Sequence, residues 1–248
     1  MKRLFIFLAL LFSASLPAQA PTAVPIPKEP HHHLVLENDY VRVFRVSVPA
    51  HESTLLQQHD VPYLYVSLGP ADVINAVQGK PEAHLVMADG QLGYSPGHFA
   101  HIARNESNAP FNNVTIELLK PQVEPHNLCE KIVPGDAGPC DLSHAAPSGG
   151  IIIRPLMETD EFRVDSFEVH RGEIVDTPHS VQGLLVNVGA PPVRIVRVPA
   201  PGRLATTLNA GDVLWLPTNA QPEFIVKDFP LARLLLLSFK GSGTAASR

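Results

Sequence analysis

The chain repeats itself at long range. "HDVPYLYVSLG" places Gly69 ten residues after His59, and "HSVQGLLVNVG" places Gly189 ten residues after His179. "DGQLGYSPG" carries Gly90 six residues before Pro96, as "AGDVLWLPT" carries Gly211 six before Pro217. "APFNNVTIELL" lines up with "FPLARLLLLSF". The three correspondences fall at offsets of 120, 121 and 120 residues. A period of this length is the size of a domain, so it predicts two related units side by side rather than a solenoid of short repeats. With 45% hydrophobic and only 17% charged residues, 248 residues can give each unit a core.

Those units read as β-structure. Apolar and polar residues alternate over short runs such as "YLYVSL" (63–68) and "VTIELL" (114–119). Twenty-five prolines interrupt any helical pattern and gather where strands end. The expected fold class is all-β, with one unit over 34–120 and a second over 151–240. Between them, 121–150 is rich in Pro, Gly and Ser and reads as a linker. Residues 21–33 read as a proline-stiffened arm, with the histidine tract 31–33 as its extended lead-in to the first unit. Residues 241–248 read as a flexible tail.

Residues 1–20 have the three parts of a secretory signal peptide: Lys2 and Arg3, an apolar run from Leu4 to Phe12, and small residues ending Ala18-Gln19-Ala20. The apolar run is too short to cross a bilayer, which takes about 20 residues. The expectation is a periplasmic or secreted protein with no membrane attachment after cleavage at Ala18 or Ala20. Loss of Lys2 and Arg3 leaves 17 basic residues against 24 acidic ones, a balance that argues against a nucleic-acid partner. In an oxidising compartment Cys129 and Cys140, close together across a Pro/Gly-rich loop, are expected to form a disulfide, with two free thiols as the alternative.

In "GQLGYSPGHFAHIARN", Gly90, Pro96, His101 and Asn105 are spaced as Gly, five residues, Pro-x-Gly, two residues, His, three residues, Asn. One glycine is displaced: Gly97 follows the proline directly and His98 takes the usual glycine place. This spacing resembles the second conserved stretch of the cupin superfamily. The first stretch, Gly, five residues, His-x-His, three or four residues, Glu, is met only in part. His51 stands at the glycine, Gln57 and His59 at the histidine pair, and Tyr63 or Leu64 at the glutamate. The resemblance covers 34–119 and, more weakly, 160–239. It implies two tandem jelly-roll barrels, a metal held by the histidines of these stretches, and in many members an oxygenase or isomerase.

Residues 57, 59 and 63 share parity and therefore one face of a continuous strand, which Tyr65 and Ser67 extend. His101, Ala103 and Asn105 share parity on the hairpin arm. The expected pocket is Gln57, His59, Tyr63, Tyr65, His101 and Asn105, binding a small molecule. Two readings of its centre stay open. His59, His101 and Gln57 hold a divalent ion (Fe, Mn, Ni, Cu or Zn), or they hydrogen-bond one another in a metal-free pocket. Two imidazoles and an amide lack the anionic ligand such ions favour. A further alternative enlists His51, His84 or His98. In the second unit Thr177, His179, Gly183 and Pro222 occupy the matching positions, so that unit is expected to be structural, with Trp215 in its core. Function is therefore expected to be small-molecule recognition, with a metal-dependent oxygenase or isomerase and a structural protein as alternatives, and a homodimer as an expected assembly.

Overall fold

The structure, a computed structural model, describes residues 22–136, 147–148, 151–171, 174–176, 181–189, 191–197, 206–220, 223–226 and 229–240. The leader, the tail 241–248, Thr177, His179 and Pro222 lie outside the described residues. So does Cys140, and with it the expected pairing to Cys129. Among the described residues one 3-10 turn, Ile26–Lys28, is the only helical element, and no helix is long and apolar enough to cross a membrane.

The all-β expectation holds. In the first half the strands are β1 (Val24–Pro25), β2 (His32–Glu37), β3 (Val41–Val48), β4 (Gln57–His59), β5 (Tyr63–Ser67), β6 (Ala71–Val77), β7 (Ala83–Met87), β8 (Leu92–Ser95), β9 (Phe99–Asn105) and β10 (Phe111–Leu118). They form two facing five-stranded sheets, ordered β1-β4-β9-β6-β7 and β2-β3-β10-β5-β8. The two-residue strands β11 (His126–Asn127) and β12 (Pro147–Ser148) then lead to β13 (Ile151–Glu158), β14 (Phe162–His170), β15 (Ile174–Asp176), β16 (Val181–Asn187), β17 (Val193–Arg197), β18 (Thr206–Leu208), β19 (Val213–Ala220), β20 (Glu223–Ile225) and β21 (Leu231–Phe239). The second half has sheets ordered β11-β13-β14-β21-β16-β19 and β15-β20-β17-β18. No strand pairing closes these sheets into a barrel among the described residues.

The sequence repeat reappears in the sheet order. The run β2-β3-β10-β5-β8 matches β13-β14-β21-β16-β19 strand for strand, and β4-β9-β6-β7 matches β15-β20-β17-β18. The turns match as well. Gly90 N–H donates to Ser67 O at 2.9 Å, and Gly211 N–H to Asn187 O at 2.7 Å.

Period-two alternation sorts the side chains between two kinds of core. Val41 and Val43 of β3, Val114, Ile116 and Leu118 of β10, and Leu235 and Leu237 of β21 turn outward and join one cluster that spans both halves. Tyr40 stacks on Trp215 across that junction, with ring centroids 5.6 Å apart, so Trp215 packs, partly buried, at the seam and not within the interior of the second half. Arg45 of β3 pairs with Asp212 at 3.1 Å and donates to Ala210 O; Arg233 of β21 reaches back to Asp89. The inward faces differ. In the second half Leu185 of β16 opposes Leu236 of β21, within an interior of Phe, Val, Ile and Leu. The equivalent pair in the first half is Tyr65 opposite Thr115.

Three sequence expectations are corrected. Residues 22–33 are not an arm outside the first unit. Val24 pairs with Gln57 in one sheet, Ile26 is buried beneath the interior cluster, and His32 begins a strand of the other sheet. Proline content argued for an extended segment, and a buried isoleucine two residues after β1 begins pins that segment into the fold. Residues 121–136 are not a loose linker. Asn127 Nδ2 donates to Val133 O and Asp136 O, its Oδ1 accepts from Ile132 N and Val133 N, and Ile132 and Val133 are buried between the halves. Finally, residues 57–67 are not one strand. The chain crosses from one sheet to the other at Asp60-Val61-Pro62, where Pro62 has no N–H to give a ladder and instead accepts from Leu118 N at 2.8 Å.

Candidate functional site

A cavity of about 270 Å³ lies between the two sheets of the first half. The chain builds its polar end from strands of one sheet. Gln57 and His59 are the inward residues of β4, each 2% exposed. His101 of β9 stands opposite Gln57 in register. His59 Nε2 and Gln57 Nε2 each approach His101 Nε2 at 3.1 Å, and Asn75 Oδ1 of β6 lies 2.6 Å from His101 Nδ1. Asn75 oxygen can only accept, so His101 carries its proton on Nδ1 and presents a lone pair at Nε2. That lone pair can take a proton from His59 or from Gln57. His59 Nδ1 and Gln57 Oε1 are buried with no partner among the described residues.

Electrostatics follow from burial. Desolvation, with smaller contributions from neighbouring His101 and His32, pushes His59 down to about 2. Burial, then His32, pushes His101 down to about 4. Both imidazoles are therefore neutral at physiological pH. Tyr63 stacks on His59 with centroids 3.9 Å apart; burial raises its phenol despite a hydrogen bond with Ser95, so it stays protonated. Tyr65 lines the cavity too, its ring lying over Gly93, where a Cβ would come within 2.2 Å of its Cζ.

Of the expected pocket, Gln57, His59, Tyr63, Tyr65 and His101 come together, although the crossing at Pro62 puts the tyrosines on the sheet opposite the histidines. Asn105 does not join them. It is buried at the far end of β9, about 13 Å along the strand from His101 at 3.3 Å per residue. There its Nδ2 donates to Val48, Pro49 and Ala109 carbonyls and its Oδ1 accepts from Ser107 N. The alternative histidines lie elsewhere: His51 bonds Asn108, His84 pairs with Asp72, and His98 is exposed in the turn. His51 and His98, the two histidines at glycine positions of the sequence pattern, have φ of 59° and 61°.

Among the polar cavity residues that sequence analysis did not single out are Asn75 and His32. His32 lines the pocket, 8% exposed, with its ring edge-on to Phe44. Its Nδ1 lies 2.7 Å from Oε2 of Glu29. Burial alone would raise the Glu29 pKa; hydrogen bonds from His32, His31 and Leu55 N–H outweigh it and bring it down to about 2. The signal available was an acid three residues before a histidine across a proline, masked by the run of three histidines.

No family model matches the sequence, and no curated protein matches it significantly. Solved structures do match in shape. AerE from Microcystis aeruginosa superposes with TM-score 0.61 at 10% identity, over 89% of this chain and 98% of that one. A cupin 2 conserved barrel domain protein from Leptotrichia buccalis gives 0.51 at 10%, over 84% and 88%. The fold is the cupin fold. A salicylate 1,2-dioxygenase from Pseudaminobacter salicylatoxidans also matches, with TM-score 0.57 at 13% identity, over 86% of this chain and 78% of that one.

The cupin fold implies a metal at the motif histidines, and the donor set of this chain tests that. The 3.1 Å between the Nε2 atoms would suit two ligands of one ion at Zn–N distances of about 2.0–2.1 Å. The rest does not fit. Among the described residues no Asp or Glu lines the cavity and no group of three His, Cys, Asp or Glu is placed to hold an ion, while Tyr63 is held protonated. A dication there would meet only neutral donors in a desolvated site, an unfavourable exchange for its hydration shell.

Proposed function

We propose that the chain is an exported protein built as two tandem jelly-roll barrels, the first of which binds a small, largely apolar molecule without a bound metal. The matching strand orders and the 120-residue offset support the tandem arrangement. The leader pattern of residues 1–20 supports export.

The observation that carries the binding reading is the contrast between the two interiors. Where the second half packs Leu185 against Leu236, the first leaves a cavity whose walls are mostly aromatic and aliphatic and whose one end gathers Gln57, His59 and His101. Apolar walls with a few convergent polar groups are the usual make-up of a small-molecule site. Tyr65, Phe99, Phe111 and Met87 would contact the body of the ligand. Gln57, His59 and His101 hold more hydrogen-bonding capacity than they use on one another, and so would orient its polar part.

A thermal-shift screen of sugars, phenolics and small acids tests this. Compounds of the right shape raise the melting temperature of the wild type and lose that effect in His59→Ala. If none does so through this pocket, the reading is wrong. A metal-dependent oxygenase or isomerase is the second reading, favoured by the 3.1 Å approach of the two imidazoles and by the fold shared with a dioxygenase. Metal analysis of untagged protein separates the two. Stoichiometric Fe, Mn, Ni, Cu or Zn that disappears in His101→Ala would support the enzyme reading.

A further inference from the structure

We infer that the ligand carries an acidic head group, and that His32, oriented by Glu29, is the residue that binds it. This rests on the binding reading above and names the class of molecule. Glu29 is buried at the base of the site and receives four hydrogen bonds. Its Oε1 takes His31 Nδ1 at 2.9 Å and Leu55 N at 3.2 Å; its Oε2 takes His31 N at 2.8 Å and His32 Nδ1 at 2.7 Å. A carboxylate so enclosed is ionised and spends its charge on these donors, not on the cavity.

The consequence falls on His32. Its Nδ1 carries the proton that bonds Glu29, which fixes the ring and leaves Nε2 as its remaining polar atom. Nε2 has no hydrogen-bond partner among the described residues, on a side chain that is 4% exposed and lines the cavity. A carboxylate behind one imidazole nitrogen fixes the ring's orientation and leaves the lone pair of the other free to receive a ligand's acid proton. An acidic ligand and His32 can therefore share one proton as an imidazolium–carboxylate pair. Among the described residues no Asp or Glu side chain lines the cavity to repel an acidic ligand. His59 and His101 cannot take this part. Each is desolvated with no carboxylate against it among the described residues, and His59 Nε2 and both His101 nitrogens are turned to each other, to Gln57 and to Asn75. The pocket thus holds two classes of imidazole, a neutral pair at one site and a carboxylate-backed one at another.

The test pairs benzoate, phenylacetate and hexanoate with their neutral amides, which match in shape and lack the charge. Calorimetric titration of the full-length mature protein is expected to show at least one carboxylate binding tenfold or more tightly than its amide. In His32→Gln, which keeps a polar side chain of similar reach, the preference should collapse to within twofold. In wild-type protein labelled with ¹⁵N-histidine, the His32 Nε2 resonance should move toward the imidazolium position as benzoate is added, a readout independent of whether any variant folds. Equal binding of acid and amide, or an unchanged preference in His32→Gln, or a His32 resonance that does not move under saturating benzoate, overturns the assignment while leaving a binding pocket in place. Failure of every probe, charged or neutral, to bind in a His59-dependent way would instead remove the pocket reading and this inference together.

Discussion

His59 and His101 face each other across adjacent antiparallel strands with their Nε2 atoms 3.1 Å apart, and Asn75 settles which of the two can accept. Neither ring has a carboxylate to stabilise a charge, so the pair is built to stay neutral.

That neutrality has a cost in acid. Unfolded, both histidines take up protons near their ordinary value of 6.5, while the fold refuses them until about 4 for His101 and about 2 for His59. Between those limits the unfolded chain binds more protons, so stability falls as pH drops from about 6.5. The loss is on the order of 2 kcal/mol per histidine by about pH 5. Glu29 adds to it only later, because its depressed value of about 2 keeps its contribution intact above about 4.5. Urea denaturation at about pH 7.5 and pH 5 measures the drop, and His59→Gln should make it shallower. Equal drops in the two proteins would mean His59 is not the source.

Asn75→Leu should destabilise the protein by about 1–3 kcal/mol, the usual penalty for a buried donor left unpaired. It should also free His101 to change tautomer. ¹⁵N shifts of the His101 ring report that directly, and a variant whose ring shifts match wild type would show that Asn75 does not set the tautomer.

At Gly93 any side chain collides with Tyr65, since a Cβ would sit 2.2 Å from Cζ and 2.4 Å from the hydroxyl oxygen. Gly93→Ala is expected to lose about 1–3 kcal/mol through overpacking and to push the ring into the cavity. Tyr65→Val added to Gly93→Ala should recover most of that loss. A double variant as unstable as the sum of the singles would place the strain elsewhere.

His98 sits in the left-handed region at φ 61° with its side chain exposed, where the displaced glycine of the sequence pattern would otherwise stand. Relief of the Cβ clash, worth about 1–2 kcal/mol, is set against the extra freedom glycine gives the unfolded chain, about 0.5–1 kcal/mol. His98→Gly should therefore be neutral to about 1 kcal/mol more stable in thermal melts. A clear loss would mean the imidazole makes a contact that matters.

Export predicts a shortened chain. The intact mass of protein recovered from outside the cytoplasm should lack residues 1–18 or 1–20, whereas a mass that retains Lys2 and Arg3 would contradict the leader assignment.

How much of this could be read in advance depended on range. The repeat was legible because glycines and prolines mark turns, and turns are set by a few adjacent residues; Gly90 and Gly211 bond the chain at equivalent places. His59 and His101 were legible from the resemblance to the two cupin stretches, and strand parity, which carries over short distances, allowed them one pocket. Parity also misplaced Asn105, which faces the right way but lies too far along β9, and it assumed a straight strand through Pro62. His32 stayed hidden for a different reason. Its place in the cavity comes from residues 22–33 threading through both sheets, and a tract of three histidines gives no indication of which ring is buried.

The seam between the halves, where Val43, Ile116 and Leu237 meet, gives the first half an apolar support that owes nothing to its own interior. A solitary barrel with a hollow centre has to find all its cohesion around the hollow. Here the leucine-filled twin and the shared seam carry that duty, so changes to the residues around His32 and His59 need not threaten folding.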